Sequence, residues 1–202
     1  MRLSLFTFFL VLLATGSKAQ YEGRALDLEH YQYTLGYPDH KITFYARPAG
    51  ESLKFTDPAK NYYWFSSNEL KITQGGFSGK LLHGSYTDFY LNKNLKEQGE
   101  FRMGLKNGIW NRWTEVGVLV AKVCYKDGLL EGRFYQYDSL GQLAEAGKYR
   151  QGKINGKLKK YISSDSIVVM NYKNGLIQPA AKKNKWFQAL WKKKTKSTKV
   201  VD

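Results

Sequence analysis

Written in rows of 24 residues, the middle of this chain repeats itself, and that periodicity limits the possible folds more than any other feature. Gly108, Trp110, Trp113 and Gly117 stand above Gly132, Phe134, Tyr137 and Gly141. The row before supplies Gly84, Tyr86 and Phe89 with Lys93 in the last position, and the row after supplies Gly156, Leu158 and Tyr161 with Asp165 there. A second pattern keeps the same register: Leu95, Leu119 and Leu143 each lead, six residues on, to Phe101, Tyr125 and Tyr149. Periods of roughly 20 to 50 residues mark arrays built from one supersecondary unit, stacked so that each copy buries the face of its neighbour.

Each unit reads as two strands and two turns. Leu119, Ala121, Val123 and Tyr125 alternate in period two, as do Leu143, Glu145, Gly147 and Tyr149, in runs where β-branched and aromatic residues dominate. The stretches KNG (106–108), KDG (126–128), QGKING (151–156) and KNG (173–175) supply glycine beside Asn or Asp, which predicts hairpin turns at all four. With no helical pattern between units, successive strands pair as antiparallel neighbours. The expected fold is all-β: an antiparallel meander of stacked β-hairpins forming one elongated sheet.

Trp110 and Trp113 are three residues apart, so strict alternation puts them on opposite faces unless a bulge intervenes. Either way the equivalent residues form ladders across the sheet, and positions filled in every unit are explained by every unit having to pack. The same aromatics are the candidates if the sheet binds a partner: Trp110, Trp113, Phe134, Tyr135, Tyr137 and Tyr161.

The units KNGIWNRWTEVGVLVAKVCYKDG, LLEGRFYQYDSLGQLAEAGKYRQG and KINGKLKKYISSDSIVVMNYKNG resemble the MORN-repeat proteins, and more closely the variant repeats of bacterial antitoxin-like proteins. They are similar in a glycine, an aromatic, a second aromatic three residues on, a turn glycine, a leucine and a tyrosine. The resemblance covers residues 76–177. The last unit departs from it, with Leu158 and Asp165 at the aromatic and turn positions and one residue fewer before its final tyrosine, as suits a capping repeat. The resemblance implies an antiparallel sheet used for binding or scaffolding, and no catalytic residue.

The ends read differently. Residues 1–19 combine Met1 and Arg2, an apolar run, and a small-x-small site at Ser17 to Ala19, the pattern of a secretory signal peptide. Export to the periplasm or beyond is therefore expected. Residues 20–75 form an N-terminal cap region, in which KNYYWFSSNELKITQGGF is either a degenerate unit or something else. Residues 178–202 form a lysine-rich tail in which Trp186, Phe187, Leu190 and Trp191 fall on one arc if the segment is helical. The sequence carries a net charge of +15, and residues 182–202 hold eight lysines and one aspartate. Lys182, Lys183, Lys185, Lys192, Lys193 and Lys194 beside Trp186, Phe187 and Trp191 are what an interfacial helix on an anionic lipid surface uses. The alternative is a basic tail covering the edge of the last hairpin.

Little points to chemistry. His30, His40 and His83 share no metal-ligand spacing with a cysteine or carboxylate. Cys124, the single cysteine, has no internal disulfide partner and sits in a strand pattern that favours a buried, inert thiol. Neither a nucleophile elbow nor a phosphate loop is present. No enzyme, metal or cofactor is expected. The expected function is that of an exported interaction module at the cell envelope, binding a protein or glycan through the sheet and an anionic surface through the tail. The alternative is an antitoxin-like inhibitor of a partner protein. Nucleic acid is a weaker fit, since the charge is concentrated in one tail and no reader motif is present.

Overall fold

In a computed structural model the chain is described over residues 31–48, 53, 55–163 and 165–179. The expected signal peptide and, from residue 180 onward, the lysine-rich tail lie outside these residues. Fifteen strands and no helix make up the described part: β1 (Tyr31–Gly36), β2 (His40–Ala46), β3 (Asn61–Ser66), β4 (Glu69–Gln74), β5 (Lys80–Tyr90), β6 (Leu95–Arg102), β7 (Leu105–Trp113), β8 (Leu119–Lys126), β9 (Leu129–Leu130), β10 (Gly132–Tyr137), β11 (Leu143–Arg150), β12 (Lys153–Ile154), β13 (Gly156–Ser163), β14 (Ser166–Lys173) and β15 (Leu176–Gln178). All pair antiparallel in an open sheet whose main path runs β1-β2-β5-β6-β7-β8-β10-β11-β13-β14-β15.

The 24-residue period is visible in the backbone. Two-residue turns with φ positive at both positions occur at Met103-Gly104, Asp127-Gly128, Gln151-Gly152 and Asn174-Gly175. Such turns match the right-handed twist of the strands they join, which is why glycine holds the second position each time. The amide of each turn glycine donates back to the unit before it, Gly104 to the carbonyl of Leu82, Gly128 to Lys106, Gly152 to Leu130 and Gly175 to Ile154, at 2.7–2.9 Å. One set of hydrogen bonds therefore staples each unit to its predecessor. The other connections also repeat: Tyr90 to Asn94, Thr114 to Val118 and Asp138 to Gln142 are closed by amide-to-carbonyl bonds of 2.8–2.9 Å across the same five residues.

Two of the four expected turns are placed differently. KNG at 106–108 lies inside β7, where Gly108 has φ +70° and the pairing with β6 shifts register between Gln98 and Glu100. The tight turn sits one step earlier, at Met103-Gly104. QGKING divides in the same way, into a turn at Gln151-Gly152 and a positive-φ glycine, Gly156, at the start of β13. A glycine with positive φ serves a bulge as well as a turn, so local composition does not separate the two.

Trp110 and Trp113 fall on opposite faces. The bulge between Arg112 and Trp113 places its extra residue on β8, where Ala121 and Leu119 are the successive partners, so β7 itself keeps its alternation. Equivalent register shifts follow Asp88 and Gln136, while in the last unit the shift follows Tyr161 and its extra residue lies on β13. One face carries the core: Phe44, Leu82, Phe101, Trp110, Phe134 and Leu158 are fully buried. Burying side chains of this size contributes roughly 1.5–3 kcal/mol each. Two strand glycines make room for the rings. A Cβ on Gly99 would lie 2.2 Å from the Trp110 indole, and one on Gly147 would lie 2.7 Å from Phe134 and 2.9 Å from Leu158.

The N-terminal region departs from the unit pattern. In the repeats the second strand of one unit pairs with the first strand of the next, but among the described residues β4 pairs only with β3, and β3 pairs with the first half of β5 through Trp64↔Leu81. KNYYWFSSNELKITQGGF is thus a separate hairpin and not a further unit of the meander. The second half of β5 pairs with β2, so the β1–β2 hairpin takes the place a preceding unit would occupy. The β3–β4 hairpin lies over the core face. Phe65 meets Phe44 at 5.4 Å, Tyr63 meets Phe101 at 4.8 Å, and the Tyr63 amide donates to the Gly104 carbonyl at 2.8 Å.

Candidate binding face

The six aromatics marked by the sequence divide by face. Trp110 and Phe134 are 2% and 1% exposed, so they belong to the core and not to an exposed binding surface. Tyr135 and Tyr161 are half-buried and line a groove of about 440 Å³ on the opposite face. Trp113 and Tyr137 are half-buried at the bulges, where they pair with Leu119 and Leu143.

The groove is defined by its cations. Arg133 on β10 is paired directly with Lys148 on β11, and Lys157 and Lys159 on β13 complete the lining. All four side chains are exposed. Ala146 is the partner of both Tyr135 and Lys159, so a tyrosine and a lysine flank one small residue across three strands. That small residue opens the groove. The acidic partner available nearby goes elsewhere: Glu145 points to the core face, where its carboxylate is 3.9 Å from Lys160. Among the described residues no ion pair involves Arg133, Lys148, Lys157 or Lys159. Like charges directly opposed across an antiparallel pair are destabilising, so this arrangement costs the fold stability unless an anion sits between them.

The core face holds a different constellation. The Lys106 ammonium lies 3.1 Å from the Glu97 carboxylate and 3.7 Å from the centroid of the Trp110 ring, with the Tyr63 and Tyr125 rings at 5.7 and 5.6 Å. Burial lowers the pKa of this lysine, and Glu97 opposes that shift. Burial likewise raises the Tyr125 and Tyr149 hydroxyls above the ordinary tyrosine range.

Cys124 is half-buried, on the strand position opposite Ile109, and not in the core as expected. The β8 pattern reads equally well from either face, so alternation alone does not say which residues are covered. His40 bonds Asp39 at 2.7 Å and stacks on Tyr37 at 4.5 Å, while the Met103 amide donates to His83 at 3.4 Å. Among the described residues no three His, Cys, Asp or Glu side chains are grouped to hold a metal. The four-cation groove was not visible as a unit in the sequence. Its members are spread over 27 positions on three strands, and no common parity marks the face, because Lys148 is even-numbered while Arg133, Lys157 and Lys159 are odd. Compared with known proteins, the chain matches no protein-family model and no curated sequence.

Proposed function

We propose that this chain is a non-enzymatic repeat module of the MORN-variant kind, exported to the cell envelope, whose sheet binds an anionic partner through the groove at Arg133 and Lys148. The lysine-rich tail acts with it as a second attachment to an anionic surface. The observation that supports this reading is the direct pairing of Arg133 with Lys148, joined by Lys157 and Lys159 and flanked by Tyr135 and Tyr161, without an acidic partner among the described residues. Tyrosine rings beside cations suit a partner with both anionic groups and flat or apolar surface.

The test is retention on immobilised dextran sulfate against neutral dextran, across a salt series. The full chain, an Arg133→Ser/Lys148→Ser variant and a chain ended at Ala181 would be compared. The groove reading expects retention on the anionic resin only, weakening with salt because exposed charges are screened over about 8 Å at physiological ionic strength. It expects a marked loss in the double variant even when the tail is present. Equal retention of the double variant and the full chain would overturn the groove and leave the tail as the sole anionic attachment. Capture of one stoichiometric protein from the envelope fraction, independent of salt, would favour the antitoxin-like inhibitor instead.

A further inference from the structure

Phe101, Tyr125 and Tyr149 occupy one position in three successive units, and their chemistry follows what lies above them. Phe101 is 1% exposed and packed under Tyr63 of the β3–β4 hairpin at 4.8 Å. Tyr125 and Tyr149 are half-buried and carry hydroxyls where the covered position has none. Between them is a cleft of about 170 Å³, floored by Trp110, Ala121 and Val123 and edged by Glu97, Arg112 and Gln136.

We propose that this cleft is a second site, on the face opposite the cationic groove, and that it takes a single pyranose sugar ring. Size limits the ligand first, since pockets for drug-sized molecules measure roughly 300–1,000 Å³ and this cleft holds about one small ring. Polarity limits it next. Among the described residues the Tyr125 and Tyr149 hydroxyls, the Gln136 amide and the Arg112 guanidinium have no hydrogen-bond partner within the chain. Glu97 takes one bond from Lys106 at 3.1 Å through Oε1, which leaves Oε2 as an acceptor. A purely apolar ligand would strip water from these groups without replacing their bonds, at a cost for each. A pyranose presents hydroxyls at its rim to such donors and acceptors, and C–H faces to the tyrosine rings.

The cleft is also held in shape before any ligand arrives. Tyr149 lies 4.5 Å from the buried Phe134 ring, and Tyr125 is braced by Trp110 at 6.2 Å and by the Lys106 ammonium at 5.6 Å. Rigid side chains lose little entropy on binding.

Saturation-transfer NMR on the full chain with glucose, galactose and N-acetylglucosamine tests the site. At least one of the three is expected to show transfer. Tyr125→Phe/Tyr149→Phe keeps both rings and removes only the hydroxyls, and Gln136→Ala alters an exposed side chain, so both variants should fold. Each is expected to lose about tenfold in affinity, the scale of one or two lost hydrogen bonds. Arg133→Ser/Lys148→Ser, on the other face, should bind the sugar unchanged, so this site and the anionic groove stand or fall separately. Absence of transfer from all three sugars, or equal binding by the Tyr→Phe and Gln136→Ala variants, would overturn the proposal.

Discussion

The Lys106 ammonium sits 3.7 Å from the centroid of the Trp110 ring and is tied to Glu97 at 3.1 Å, so a cation is placed inside the aromatic core of the sheet. The ring's negative face and the carboxylate both favour the charged form, and desolvation opposes it. Replacing Lys106 by Met keeps the apolar stem and removes the charge, with an expected loss of about 1 kcal/mol. Lys106→Glu puts a second carboxylate against Glu97 and the ring face, and should cost about 3 kcal/mol or more. Urea unfolding of the two variants measures the difference, and equal losses would show that a second carboxylate beside Glu97 carries no cost of its own.

Gly99 is the position where Trp110 most tightly limits the backbone. An added Cβ would meet the indole at 2.2 Å, and Gly99 has no positive φ, so any destabilisation of Gly99→Ala comes from the clash alone. Overpacking of this kind costs typically about 1–3 kcal/mol. Thermal unfolding should show that loss in the parent chain. It should shrink in a Trp110→Phe background, where the smaller ring leaves room.

Because every tight-turn glycine is bonded to the unit before it, whole units are interchangeable in a way that fragments are not. Deleting residues 123–146 joins Lys122 to Gly147 with strand register, bulge position and turn spacing kept, so the sheet shortens by one unit. Deleting 12 residues at the same place puts a strand where a turn is needed. Circular dichroism and limited proteolysis are expected to find the longer deletion folded and the shorter one not.

Four half-buried tyrosines give the sheet an alkaline limit. Burial raises the hydroxyls of Tyr63, Tyr86, Tyr125 and Tyr149 above the ordinary value of 10.0. The folded state then holds these protons at a pH where the unfolded chain has released them. Their contribution is fully present below about pH 10 and is lost as pH rises through the folded values. Tyrosinate absorbance should lag behind that of a urea-unfolded sample above pH 10 and rise together with the loss of β-sheet signal. A titration matching the unfolded sample throughout would show that folding does not shield these hydroxyls from water.

Asp88 works in the opposite pH range. It is 5% exposed, and burial raises its carboxyl pKa against the pull of His40 and Lys96. A raised carboxyl favours folding below its unfolded value near 3.8 and loses that benefit as pH climbs through the folded value. Asp88→Asn should therefore gain stability relative to the parent as pH rises from about 4 towards neutrality. A constant difference across that range would sink the assignment.

Much of this architecture was legible because a repeat writes its period into the chain. Strand content, antiparallel pairing and the two aromatic ladders follow from alternation and from glycines at a fixed spacing, since every unit must solve the same packing problem. KNG at 106–108 shows the limit of that reading, because positive φ is common to bulges and turns and only pairing across strands tells them apart. The sides of the sheet were likewise open. Trp110 and Trp113 carry the same ring, and which one is core depended on a bulge that placed its extra residue on β8 and not on β7.

The non-repeating part and the candidate sites belong to tertiary structure. Nothing local says that β5 would divide its length between β3 and β2, so the hairpin over Phe101, and its absence among the described residues over Tyr125 and Tyr149, had no sequence signature. Arg133, Lys148, Lys157 and Lys159 are ordinary surface cations along the chain. They become a groove only when antiparallel pairing sets Arg133 against Lys148 and brings β13 alongside. Sequence determined the unit, because backbone geometry and burial act within a few residues. Which faces are covered, and which charges meet, was decided only when distant strands came together.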